Sequence, residues 1–153
     1  MLINWKDPKC KISKHFTVHE ALWLPSWQVY HIPSEEEKAN IIKTAEKMEL
    51  VREFFDKPVN VNCWIRPRSV NCPDKKAYHG RNYNAFVGGA PGSAHTEGLA
   101  VDFTVSTVTA SDAKDMLKDN LEAWNIRMEN ITGNWVHIDL RQPLPGGKRF
   151  FKP

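Results

Sequence analysis

No stretch of this sequence approaches the roughly 20 consecutive apolar residues needed to span a bilayer, which argues against a membrane-crossing helix. The opening "MLINWKDPKCKISKHF" lacks the apolar region of a secretory signal, so a role outside the cell requires delivery by something else. Charge of one sign is also scarce. The net balance is only +3, and no dense Lys/Arg block provides a nucleic-acid footprint. Cysteine is limited to Cys10, Cys63 and Cys72, an odd set that argues against a complete disulfide framework. Cys63 and Cys72 could pair across a loop, but free thiols in a reducing compartment are the expectation. Internal repeats and low-complexity tracts are absent. What is left, 153 residues with 41% hydrophobic and 25% charged, has the balance of one globular domain, residues 1–153, with a substantial core.

Helix signals are few and clear. "TVHE" from Thr17 to Glu20 reads as a capping box opening a short helix, and "SEEE" from Ser34 to Glu37 opens a longer one. Ile41, Ile42, Ala45, Met48, Val51 and Phe55 recur at helical spacing, and Asp56, Lys57 and Pro58 end the run. Ser111 is expected to cap a third helix reaching about Leu121.

Three segments alternate with period two. In "VNVNCWIR" Val59, Val61, Cys63 and Ile65 oppose Asn60, Asn62, Trp64 and Arg66. In "LAVDFTV" Val101, Phe103 and Val105 oppose Ala100, Asp102 and Thr104; in "WVHIDL" Val136, Ile138 and Leu140 oppose Trp135, His137 and Asp139. "NIRMENI" offers a further strand. The pattern predicts an α+β fold, an antiparallel sheet with helices on its apolar face and a cleft on the other. The Pro/Gly/Asn-rich stretch 67–92 is a loop of the length that usually carries function.

Asp102 poses the chemical question, because an unpaired carboxylate is costly inside an apolar strand. His95 on the entering loop and His137 on another strand's cleft face could join it around a cation, leaving a fourth position open. Spacing alone leaves a second arrangement equally open: Asp102 paired with Arg66, with the histidines merely hydrogen-bonded. Other chemistries are weaker. "HEALW" begins like a helical zinc-protease motif, but Trp23 stands where the second histidine is needed, which leaves His19 and Glu20 as helix surface and cap. "FVGGAPGSAH" lacks the ending of a phosphate loop, and Ser93 has no strand–elbow–helix context. His15, His31 and His79 read as surface or structural residues, with His79 near enough in the long loop to edge the cleft.

"SAHTEGLAVDF", with "WVHIDL" downstream and "NVNCWIRPRS" upstream, resembles the zinc D-alanyl-D-alanine carboxypeptidase and endopeptidase family, whose fold hedgehog-type domains share. "HFTVHEA" and "NAFVGGAPGSAH" extend the resemblance over residues 15–141. It implies zinc as cofactor, held by His95, Asp102 and His137. It also implies a supporting Ser93 and an Arg66 that contacts substrate, with Trp135 beside them in the substrate-binding set. The implied activity is that of a zinc metallopeptidase cutting an amide bond in the stem peptide or cross-link of peptidoglycan. The packaging suggests a monomeric phage-type lysin, encoded by phage or cytoplasmic until it is delivered to the cell wall.

One position departs from the commonest family pattern. Asn134 stands three residues before the last histidine, where many members carry the acidic general base, and an amide cannot take a proton. Asp139, two residues past His137 on the same strand face with Cα atoms roughly 6.6 Å away, is the expected base, with the orientation of a ligand imidazole as its main competing role. Asn134 is then left to orient water or substrate, and Glu129 and Glu97 rank below Asp139. Asn134 also keeps an alternative open, a non-catalytic zinc-bearing module that binds cell wall or another protein.

Overall fold

Thr17 and Ser34 start helices by the same exchange of hydrogen bonds. At α1 (Val18–Leu22) the Thr17 hydroxyl accepts from the Glu20 N–H, and the Glu20 carboxylate accepts from the Thr17 N–H. Ser34 and Glu37 do likewise at α2 (Glu35–Phe55), which ends where Asp56 turns left-handed at φ 48°. The computed structural model describes residues 2–153. Its third helix begins earlier than Ser111: Thr109 is the N-cap, its hydroxyl accepting from the Asp112 N–H. Threonine has an acidic residue three positions on, the better capping pattern, and Ser111 is absorbed into the first turn. This helix breaks into pieces, with a short α3 (Tyr83–Phe86) preceding it in the chain. α4 (Ala110–Leu117) is followed by a 3-10 turn (Lys118–Asn120) and α5 (Leu121–Trp124).

Among the described residues seven strands form two sheets. β1 (Trp23–Leu24) and β2 (Val29–Tyr30) make a small hairpin. β3 (Val59–Cys63), β4 (Ala100–Val105), β5 (Arg127–Glu129), β6 (Val136–Asp139) and β7 (Phe150–Phe151) form the main sheet in the order β3-β4-β6-β5-β7. The fold is α+β, as the alternation predicts. The sheet is antiparallel except at its last edge, where β7 pairs parallel to β5. No helix among the described residues is long and apolar enough to cross a membrane.

The apolar faces do what period two requires. Val101, Phe103, Val105, Val136 and Ile138 are buried in one cluster with Ile41, Ala45 and Met48 of α2 and Ala113 and Leu117 of α4. Each large side chain fully buried there contributes about 1.5–3 kcal/mol. The core therefore anchors β4 and β6 side by side, in the register Asp102↔His137 and Ala100↔Asp139. Paired residues share a face, so Asp102, His137 and Asp139 all point away from the helices.

β3 departs from simple alternation. Its register slips between Val61, opposite Phe103, and Cys63, opposite Asp102, so Asn62 is an extra residue on this strand. The bulge reverses the parity expected from the sequence. Cys63 leaves the apolar face for that of Asp102, while Trp64 is buried against Phe16 instead of facing the cleft.

The segment 67–92 is tied down along its length. Val70 and Gly80 donate backbone bonds to Arg81 and Val70, and Ile32 donates to Asn71. Trp27 stacks on Tyr78 and meets Tyr83 edge-on, joining the loop to the β1–β2 hairpin.

Candidate metal centre and active site

A 3-10 turn (Ala94–Glu97) carries His95 to the end of the sheet. Ser93 caps it, its hydroxyl accepting from the His95 N–H, and Gly98 closes it at φ 76°. α2 grips this turn through two side chains: the Asn40 amide donates to the Glu97 carbonyl, and the Thr44 hydroxyl donates to the Gly98 carbonyl. The indole N–H of Trp64 also donates to the Gly98 carbonyl, so the buried tryptophan helps to fix the histidine's loop.

Three donor atoms converge. Asp102 Oδ1 lies 3.1 Å from His95 Nε2 and 2.8 Å from His137 Nδ1, and the two nitrogens are 3.2 Å apart. Zinc bonds of about 2.0–2.1 Å at a tetrahedral centre separate neighbouring ligand atoms by about 3.3 Å, so this triangle is a slightly contracted face of such a site. The far nitrogens are spoken for. His95 Nδ1 is 2.6 Å from the Trp64 carbonyl, and His137 Nε2 is 3.3 Å from Asp139 Oδ2. An acceptor on each distal N–H leaves the lone pair of the other nitrogen aimed at the common point, the arrangement metal-bound imidazoles use. The donor set fits a zinc ion.

Charge supports the same conclusion. Burial raises the Asp102 carboxyl, but hydrogen bonds and attraction from His137 and His95 outweigh it and hold the group well below the usual carboxylate range. Burial likewise depresses the His137 imidazole, but Asp102, Asp139 and Glu129 outweigh it and lift the group above its ordinary value. Carboxylates gathered around two histidines make a pocket of negative potential suited to a cation.

Cys63 lies close by. Its sulfur, with one atom from each of His95 and Asp102, forms a group within 4.8 Å that could hold a metal. Its contact, however, is 3.7 Å to His95 Nδ1, the nitrogen already held by the Trp64 carbonyl. Burial also pushes its thiol up to about 12, which disfavours the thiolate that binds metal. His137 completes the triangle better.

The triangle lies in an open cleft of about 380 Å³ whose lining includes Arg66, Ser93, Glu129, Trp135 and Arg141. Arg66 does not pair with Asp102; it donates from Nη2 to the Ser93 hydroxyl at 2.9 Å, its Nε buried without a partner. Trp135 is 37% exposed at the cleft wall. His15, His31 and His79 bond instead to Glu49, to Glu37 and to the Cys72 N–H. Glu20 caps its helix and His19 stacks on Trp23, as read from the failed motif.

Two expected roles do not fit this geometry. Asn134 is exposed and does not line the cleft. Asp139 is only 2% exposed and already committed: Arg127 grips it with Nε at 2.9 Å and Nη2 at 3.0 Å, and the Arg141 N–H donates to Oδ1. A carboxylate so engaged is poorly placed to receive a proton from water, and its geometry is that of a group orienting His137. Glu129, ranked below Asp139 from the sequence, is a second carboxylate near His137. It lines the cleft with Oε1 3.8 Å from His137 Nε2, on the face shared by Arg127 and Asp139. The signal was available in "NIRMENI", where Ile126 and Met128 are wholly buried and Arg127 and Glu129 alternate with them.

An α+β frame presents two imidazoles and a carboxylate at one point of an open cleft, the number and kind of protein donors that catalytic zinc sites use. Residues 75–139 match the family model described as Peptidase M15, which bears out over this segment the resemblance to the zinc D-alanyl-D-alanine carboxypeptidase family. The match spans His95, Asp102, Glu129 and His137 and leaves Arg66 outside it. No curated protein and no solved structure matches the chain.

Proposed function

We propose that this protein is a zinc-dependent peptidoglycan peptidase of D,D-carboxypeptidase or endopeptidase type, built as one domain, 1–153, on a hedgehog/DD-peptidase-like frame. The observation that carries this reading is the convergence of His95, Asp102 and His137 with both distal imidazole nitrogens already held. These three residues would hold zinc, which would supply Lewis acidity to lower the pKa of water to roughly 7 and to polarise the scissile carbonyl.

The chain's own groups do the rest. Glu129 accepts the proton of the attacking water at its carboxylate and passes it to the leaving amine nitrogen, the general acid–base step that Asn134 cannot perform. Arg66, steadied by Ser93, offers its planar fork to a substrate carboxylate or to the oxyanion that develops at the carbonyl. Trp135 offers an aromatic wall to the peptide. Asp139 keeps His137 in the tautomer and orientation that the site needs. A cell-wall target fits a monomeric phage-type lysin, made in the cytoplasm or by a phage and delivered to the wall.

Mass spectrometry of muropeptides after digestion of purified peptidoglycan, with and without chelator, tests the proposal. New amino groups that vanish with chelator and return with zinc are the expected result. A protein that binds zinc and peptidoglycan yet releases no amino group is a binding module, and that outcome overturns the enzymatic reading.

A further inference from the structure

We infer that Arg127 is a positioning residue for the metal centre: clamped on Phe151 of β7, it locks Asp139 so that one acceptor site is left for His137. The inference rests on reading His95, Asp102 and His137 as the zinc site. A series of contacts from Phe151 to the imidazole of His137 carries it. The Arg127 guanidinium lies 4.3 Å from the centre of the Phe151 ring. Its Nε and Nη2 donate to the two Asp139 oxygens at 2.9 and 3.0 Å, the parallel fork that fixes a carboxylate in plane and in rotation. The Arg141 N–H takes a second site on Oδ1 at 3.0 Å. What remains is the second site on Oδ2, 3.3 Å from His137 Nε2. On the other side of that ring Nδ1 meets Asp102 and His95.

A merely structural ion pair would not need this geometry. Arg127 and Asp139 sit on the cleft side of the sheet and both line the cleft; the packed core lies on the other face. The register explains how the series is assembled. Arg127 is directly opposite Asp139 in the β5–β6 pair, and β7 lies alongside β5 with Phe151 paired to Glu129. The edge strand that departs from the antiparallel pattern thus delivers the ring that holds the arginine. Lysine at 127 would keep the charge but not the fork, since an ammonium is a point donor and leaves the carboxylate free to turn.

The test is zinc affinity, measured by competition with a chromophoric chelator for the wild type, Arg127→Lys, Asp139→Asn and the double variant. Removing a partner that orients a metal-bound imidazole weakens metal binding by about 10–100-fold, and Arg127→Lys is expected to fall in that range. The double variant should be no weaker than Asp139→Asn alone, because the arginine acts through the aspartate. The visible spectrum of the cobalt-substituted proteins should change in both single variants, which a loss of stability alone would not produce. Wild-type affinity and an unaltered cobalt spectrum in Arg127→Lys overturn the inference, as do effects that simply add in the double variant. Failure of the wild type to bind zinc overturns it together with the metal reading. Zinc binding without peptide cleavage leaves it standing and overturns the peptidase reading alone.

Discussion

At the scale of single residues, the chemistry depends on which carboxylates are engaged. Asp102 faces two imidazoles, Asp139 is held by Arg127 and Arg141, and Glu129 makes only a 3.8 Å approach to His137 Nε2. Hydrogen-bond partners therefore differ among three chemically similar side chains, and the proposed roles of anchor, orienting group and base follow that difference. Glu129→Gln is expected to retain zinc and to lose turnover by about 10²–10⁴-fold, the usual contribution of a positioned acid–base group. Elemental analysis and amino-group release measured together check this. Full activity in the zinc-loaded variant would remove Glu129 from the reaction, and lost zinc would make it part of the binding site.

At the scale of elements, the turn carrying His95 is held by a conformation only glycine adopts easily. Gly98 sits at φ 76°, and a Cβ there would come 2.9 Å from Ile41 Cγ1 of α2. Two strains coincide, the left-handed backbone and the clash with a fully buried side chain. Gly98→Ala should destabilise the protein by about 1–3 kcal/mol, with a melting shift of roughly 2–4 °C per kcal/mol at this chain length. Because Thr44 and Trp64 both bond to the Gly98 carbonyl, the same change should also weaken zinc binding. Thermal melts and chelator competition measure the two effects. A variant with unchanged melting would mean that the turn relaxes without strain.

At the scale of the whole molecule, two buried-edge pairs away from the cleft tie α2 to its surroundings and set a pH limit. Glu49 accepts from the Ser13 hydroxyl and the His15 N–H and meets His15 Nδ1 at 2.6 Å; Glu37 meets His31 Nε2 at 2.9 Å. Burial raises both carboxyls, but their hydrogen bonds together outweigh it and hold both below the ordinary 4.5. A carboxyl depressed in the folded state stabilises fully above its unfolded value and loses that contribution as pH falls through the folded one. Stability should therefore hold near neutrality and decline in acid below about 4.5. Glu49→Gln should lower the melting temperature at pH 7, with the difference from wild type shrinking as acid protonates Glu49. Parallel melting curves down to pH 3 check it, and a constant gap between the two proteins would show that Glu49 does not contribute by this route.

Two helix starts, at Thr17 and Ser34, and the faces of β4 and β6 were legible in the sequence because each is a local pattern. A capping box needs four residues, and period-two alternation places Val101, Phe103 and Val105 on one side and Asp102 on the other without knowledge of the neighbouring strand. The resemblance to Peptidase M15 over residues 75–139 was legible for a similar reason, since "SAHTEGLAVDF" packs loop, turn glycine and carboxylate into one contiguous run. Tertiary structure decided what depends on pairing. The extra residue Asn62 moves Cys63 to the face of Asp102 and Trp64 into the core, because a bulge is defined only against a partner strand. Register likewise sets Arg127 opposite Asp139, whose carboxylate it grips. It also brings Glu129 beside His137 across eight positions of chain. Sequence distance carries no record of which side chain takes a carboxylate's last free lone pair, and only the paired strands decide that allocation.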